Sequence, residues 1–200
     1  MIVITADQVD STHRVDLAGS AVATVNELFG KGLVLPVDRN AGDEIQAMTE
    51  DAGTALQVIL HLARSEQWSI GCGIGAVRTP LAANTREAAG PSFVAARQAV
   101  DAAKRAPHRF SLTVAPGQSL AADDVAPLVD LLLFVRSRRT PEGWELYDLL
   151  AAGSTQAEAA AVLDISPQAA SQRARAAGIR MDLSSQPGLA RLLAVANTRA

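Results

Sequence analysis

Cysteine is nearly absent from this 200-residue chain. Cys72 stands alone, which excludes an intramolecular disulfide and any zinc site built on cysteines. Long apolar runs are missing too: no stretch approaches 18 residues, so none reads as a membrane span. The first residues, MIVITAD, carry no basic patch and enter an alternating apolar stretch at once. No signal peptide is therefore expected, and the expected location is the cytoplasm. Lysine is scarce, at 2 residues, and the formal net charge is only −3. With 48% hydrophobic residues and so little excess charge, the chain is expected to fold rather than stay disordered. The length suits one domain or two small ones.

Charge is unevenly placed. Residues 136–200 hold 8 arginines against 6 acids, while the first 135 residues hold 10 basic and 15 acidic side chains. That is the pattern of an acidic body joined to a basic module. The 39 alanines reflect coding preference and carry no mechanistic weight.

Periodicity sets out the elements. Residues 1–6 read as a buried strand ending at Asp7, and 15–29 as an amphipathic helix with Val15, Ala18, Val22, Val25, Leu28 and Phe29 on one face. Residues 33–37 form a strand in which Pro36 marks an edge or a bulge. A turn at 40–43 and a returning strand at 45–48 follow, then a helix at 49–64. In the strand 68–77, Trp68, Ile70, Cys72, Ile74 and Ala76 alternate with Gly71, Gly73 and Gly75, which leaves one face open to close approach by helix backbone or ligand. A helix at 91–105, a strand at 109–115 and a helix at 120–135 complete the order β-α-β-β-α-β-α-β. The expected fold class is α+β, with helices on a mainly antiparallel, ferredoxin-like sheet. Domain boundaries are placed at 1–135, a linker at 136–141, and an all-helical domain at 142–200. Residues 184–188 (SSQPG) read as a break before a last amphipathic segment at 189–197 that is a candidate dimer contact.

The sharpest local signal lies between Gly143 and Ile179. Thr155 and Glu158 have capping-box spacing. A helix with Ala159, Val162 and Leu163 inward follows, and Asp164 takes the turn. Ser166 then serves as N-cap with Pro167 in the first helical position, and Gly178 closes the second helix. Ala170, Ala174, Ala177 and Ile179 face inward. Two short helices on a tight turn predict a helix-turn-helix, whose second helix enters the major groove of DNA. The candidate DNA-binding residues are Ser166, Gln168, Ala169, Ser171, Gln172, Arg173 and Arg175. Gln172 and Arg173 have groups for base edges, whereas Arg175 and Arg180 suit phosphates. So few cations give one subunit weak affinity, which a homodimer on two half-sites would raise.

Asp7 and Asp43 are the candidate metal ligands. They end adjacent strands, and two converging carboxylates can hold Mg²⁺ or Mn²⁺ together with a nucleotide phosphate. Gly42 and Glu44 are the candidate nucleotide-binding residues. The alternative is that Asp7 caps a turn and Asp43 and Glu44 belong to a solvated hairpin. His13, His61 and His108 show no ligand spacing, and Cys72 reads as a small buried hydrophobe.

The segment DRNAGDEI at 38–45 resembles the signature loop of GGDEF-type diguanylate cyclases. Asp7 after its strand resembles the first metal aspartate of class III nucleotide cyclases. GPSFVAAR at 90–97 is similar to the cyclase helix that carries an Asn and a transition-state Arg. Together ITADQVDSTHR, AGDEIQAM, IGCGIGAV, GPSFVAARQAVDAAKR and the helix-turn-helix resemble the SatD family of bacterial proteins, over residues 2–179. The resemblance implies a small cytosolic regulator with DNA binding in the C-terminal module. Arg97 is its one candidate catalytic residue. Phe93 stands where a cyclase has its Asn, so the expectation is a cyclase-like domain that binds a nucleotide without converting it. A divergent nucleotidyl cyclase or other phosphoryl-transfer enzyme using Asp7 and Asp43 is the alternative, and a protein-interaction adaptor a third.

Overall fold

The computed structural model describes residues 1–40 and 42–199, so Ala41 of the AGDE turn lies outside the described residues. In chain order the elements are β1 (Ile2–Gln8), α1 (Ala18–Phe29), β2 (Leu35–Arg39), β3 (Glu44–Thr49), α2 (Ala52–Ala63), β4 (Trp68–Ile74), α3 (Pro91–Ala103), β5 (Phe110–Val114) and α4 (Ala122–Ser137). Helices follow: α5 (Pro141–Ala151), α6 (Gln156–Val162), α7 (Pro167–Ala176) and α8 (Ile179–Ala196). The fold is α+β, a five-stranded mixed sheet with helices followed by an all-helical region. The chain divides into two compact units, one of residues 1–130 with the segment from Leu189 onward, the other of residues 131–188.

In the first unit the strand order is β2-β3-β1-β4-β5. All neighbours are antiparallel except β4 and β5, which run parallel and are joined through α3. β2 is an edge strand, and its register slips between Leu35 and Asp38, around Pro36, where a proline without an N–H costs no ladder bond. β1, β3 and β4 are buried at nearly every position, as central strands covered on both faces must be.

The glycine alternation in β4 has a direct structural consequence. A Cβ at Gly71 would lie 2.1 Å from the Val100 amide nitrogen, and one at Gly73 would lie 2.1 Å from that of Ala96. The backbone of α3 therefore rests on the sheet itself, with Ala96, Ala99 and Val100 fully buried. Trp68, Ile70, Cys72 and Ile74 point to the other face, toward α2. Asp51 caps α2, its Oδ1 accepting from the Thr54 amide at 2.6 Å.

The second unit packs α5, α6 and α7 around Leu146, Tyr147, Ala159, Ala177 and Ile179. Below this core lies an ionic cluster that sequence reading did not anticipate. Asp182 is fully buried and accepts from Arg136 Nη1 and from Arg139 Nη2, both at 2.8 Å. The Arg139 guanidinium stands 4.3 Å from the Trp144 ring centre and 4.5 Å from that of Tyr147. Burial pulls the Arg139 pKa below its ordinary value, and the hydrogen bond to Asp182 opposes that shift. Residues 136–141, read as a charged break, thus complete α4 and cap α5: Arg136 and Arg139 are buried, and Thr140 Oγ1 accepts from the Gly143 amide.

Two further expectations are corrected here. Residues 184–188 do not break the chain but lie inside α8. Ser184 and Ser185 donate back to the Met181 and Asp182 carbonyls, so their hydroxyls are satisfied without leaving the helix, and Gln186 ties it to Asp182 Oδ1 at 2.7 Å. Val162, expected inward, is 67% exposed, and Ala160 is buried in its place. In a helix of only 7 residues the buried face is narrow, and two adjacent alanines fill it.

Candidate functional site

The clearest chemical surface is on α6 and α7. Thr155 Oγ1 accepts from the Glu158 amide at 3.2 Å, and the Glu158 carboxylate accepts from the Thr155 amide at 2.7 Å. The Thr155 hydroxyl also donates to that carboxylate at 2.8 Å, and the two bonds from the Thr155 amide and hydroxyl hold the Glu158 carboxyl below its ordinary pKa. Asp164 makes the turn at φ 52°, in left-handed geometry, and Ser166 Oγ then accepts from the Ala169 amide at 3.1 Å to start α7. Gly178 follows α7 at φ 62°. Ala170 and Ala177 are buried and Ala174 packs against the same core, which turns the opposite face outward. That face carries Gln168, Ser171, Gln172 and Arg175, all exposed. Residues 165–181 contain three arginines and no acid.

Two expected contact residues sit elsewhere. Ala169 is only half-exposed, on the flank of α7. Arg173 turns toward α5: its Nη1 lies 3.5 Å from the Glu142 carbonyl and 3.9 Å from the Glu145 carboxylate, and its side chain is 26% exposed. The spacing signals this outcome, since residue 173 stands about 100° round the helix from residue 172, on the side of Ala170 and Ala177.

On the sheet, the carboxylate directly across from Asp7 is that of Glu44, not Asp43. Asp43 lies in the turn one residue before β3 and is half-buried. Both paired carboxylates meet cations from α3. Lys104, just past the helix, donates to Asp7 Oδ2 at 2.9 Å, and Arg97 donates to the nearly buried Glu44, which also accepts from Asn40 Nδ2 at 2.7 Å. Asp101 lies 3.8 Å from Arg97 Nε and 4.0 Å from Lys104 Nζ, which joins the pairs into one network. Gly42 holds the hairpin turn at φ 67°, a conformation that suits glycine. Asp7 and Glu44 thus each face a cation, and no group of three or more His, Cys, Asp or Glu side chains gathers for a metal among the described residues. Phe93 packs with the cluster of Val3, Met48 and Ala96.

Comparison with protein-family models, with curated proteins and with solved structures found no match.

The functional weight therefore rests on the chain's own geometry. A cleft of about 430 Å³ opens between α1 and α2, lined by residues that include Ser20, Thr24, His61, Ser65 and Trp68. The Ser20 and Ser65 hydroxyls return to the carbonyls of Leu17 and Leu62, and burial, with the nearby Arg64 cation, lowers the His61 pKa; Arg64 also lines the cleft, so its mainly apolar wall carries one positive charge. Cys72 is fully buried, with its thiol pKa pushed up to about 12 by burial, and is not a nucleophile near neutral pH. Lys104, Asp101 and Asp182 are charged residues that sequence reading did not single out. Lys104 could have been found from its place one turn past Asp101 on the α3 pattern. Asp182 carries no local charge signal, because the two arginines that pair with it are 43 and 46 residues away.

Proposed function

We propose that this protein is a DNA-binding regulator of the kind the SatD resemblance implies, with α6 and α7 as its helix-turn-helix. The observation that carries this reading is the exposed, acid-free face of α7 (Gln168, Ser171, Gln172, Arg175), set opposite its buried alanines. Carboxamide and guanidinium groups in one arc are the groups with which a helix reads a groove. The two cations Arg175 and Arg180 give one copy weak non-specific affinity, so the functional species is a homodimer on two half-sites.

The order β2-β3-β1-β4 supports the ferredoxin-like, cyclase-like reading of the sheet, with α3 and β5 added at one side. Within that reading the pairs Arg97–Glu44 and Asp7–Lys104, with Phe93 in the apolar cluster, favour a regulatory body without cyclase chemistry. Electrophoretic mobility shift at low salt, with duplexes from the protein's own upstream region and from random sequence, tests the proposal. Retarded complexes that weaken as salt rises are expected. Absence of any complex at low salt would overturn it.

A further inference from the structure

We infer that α7 selects adenine through Gln168 and Gln172, an inference that rests on the DNA-binding reading above and names what that face recognises. Successive helical residues are turned by about 100°. Gln168, Ser171, Gln172 and Arg175 therefore share one arc, and all four are exposed. Arg173 is outside it, held toward the Glu142 carbonyl and the Glu145 carboxylate of α5. This placement decides the chemistry. A guanidinium fork at the groove floor matches O6 and N7 of guanine, whereas the glutamine carboxamide, with donor and acceptor side by side, matches N6 and N7 of adenine.

Recognition helices bring their N-terminal residues to the base edges. Gln168 is the second residue of α7 and Gln172 stands one turn later, whereas Arg175 is in the last turn, where it reaches phosphate with Arg180. The two glutamines are the bidentate groups left on the groove-facing part of the arc. Four residues advance the helix by about 6 Å. Base pairs stack at about 3.4 Å, so the two adenines fall within two base-pair steps of each other. Ser171 lies between them and accepts any base, since its hydroxyl both donates and accepts.

The test is selection of binding sites from randomised duplexes with the full-length protein and with Gln168→Ala, Gln172→Ala, Arg173→Ala and Arg175→Ala. Affinities for the selected site and its single-base-pair variants are then measured by fluorescence anisotropy at one salt concentration, and circular dichroism checks that each variant is folded. The selected site is expected to hold two adenines within two steps. Each glutamine variant loses discrimination at one of them, by about 5- to 150-fold. Arg173→Ala keeps the site unchanged, and Arg175→Ala weakens binding to all duplexes alike. A guanine preference that disappears in Arg173→Ala, or a selected site that neither glutamine variant alters, overturns the adenine assignment and leaves DNA binding intact. Failure of the wild type to bind any duplex at low salt overturns the DNA-binding reading, and this inference with it.

Discussion

Asp182 is a single carboxylate between two buried guanidiniums, so its removal should cost more than an ordinary core substitution. Asp182→Asn keeps the size but leaves Arg136 and Arg139 buried without a counter-charge, and breaking a buried pair in this way costs about 3–5 kcal/mol. Urea unfolding followed by tryptophan fluorescence measures it, because Trp144 lies against both arginines. A loss under 1 kcal/mol would mean that the Trp144 and Tyr147 rings carry the arginines without Asp182. Asp51 gives the milder case. Its cap on α2 holds the carboxyl below the ordinary range, chiefly through the hydrogen bond from Thr54. The folded value is lower than the unfolded one, so the cap's stability is fully present above about pH 4 and fades as pH falls through the folded value. Asp51→Ala should cost about 1 kcal/mol at pH 7. The gap between wild type and variant should close in melts recorded toward pH 2.

At the scale of elements, the placement of α3 is the feature that sequence reading resolved best. Three glycines at alternate positions of a strand signal a face that something approaches closely, and α3 backbone fills that place. Gly73→Ala would put a Cβ 2.1 Å from the Ala96 nitrogen and 2.3 Å from the Ser92 carbonyl oxygen, both of them backbone atoms. Neither can swing aside, so the helix must lift from the sheet, at a cost of about 3 kcal/mol or more. Thermal unfolding of Gly73→Ala beside Gly19→Ala checks this, since a Cβ at Gly19 meets nothing within 4 Å. The caps of α6 and α7 were equally legible, because a cap depends on three or four consecutive residues. The errors share a cause as well. The serines and proline of α8 are turn formers in isolation, and Gln186 takes its helical role from Asp182, whose own burial is fixed by arginines more than forty residues earlier. Arg173 was misplaced for want of a simple angle, although α5, which holds it, is distant in sequence.

The whole molecule carries a formal charge of −3, and its cations are not all available to a polyanion. Arg136 and Arg139 are buried, while Arg97 and Lys104 neutralise Glu44 and Asp7. The burial of Arg136 and Arg139 was not visible in the count of 8 arginines after residue 135, because it depends on a partner more than forty residues away. Two exposed arginines, Arg175 and Arg180, are left on the proposed DNA-facing side. Counterion release then fixes how binding responds to salt, with a slope of log K against log salt of about −1.8 for one bound copy and about −3.6 for two. Between about 50 and 200 mM salt, affinity should fall about tenfold for a single copy and about 150-fold for a dimer on two half-sites. Arg175→Ala should flatten the slope by about 0.9 for each bound copy, while leaving the selected site unchanged. Anisotropy titrations across that salt range, with the stoichiometry read from sedimentation of the same complex, check both numbers together. A steep slope with one copy bound would mean that cations outside α7 and α8 touch the phosphates, and a flat slope would move the binding energy from DNA charge to some other partner.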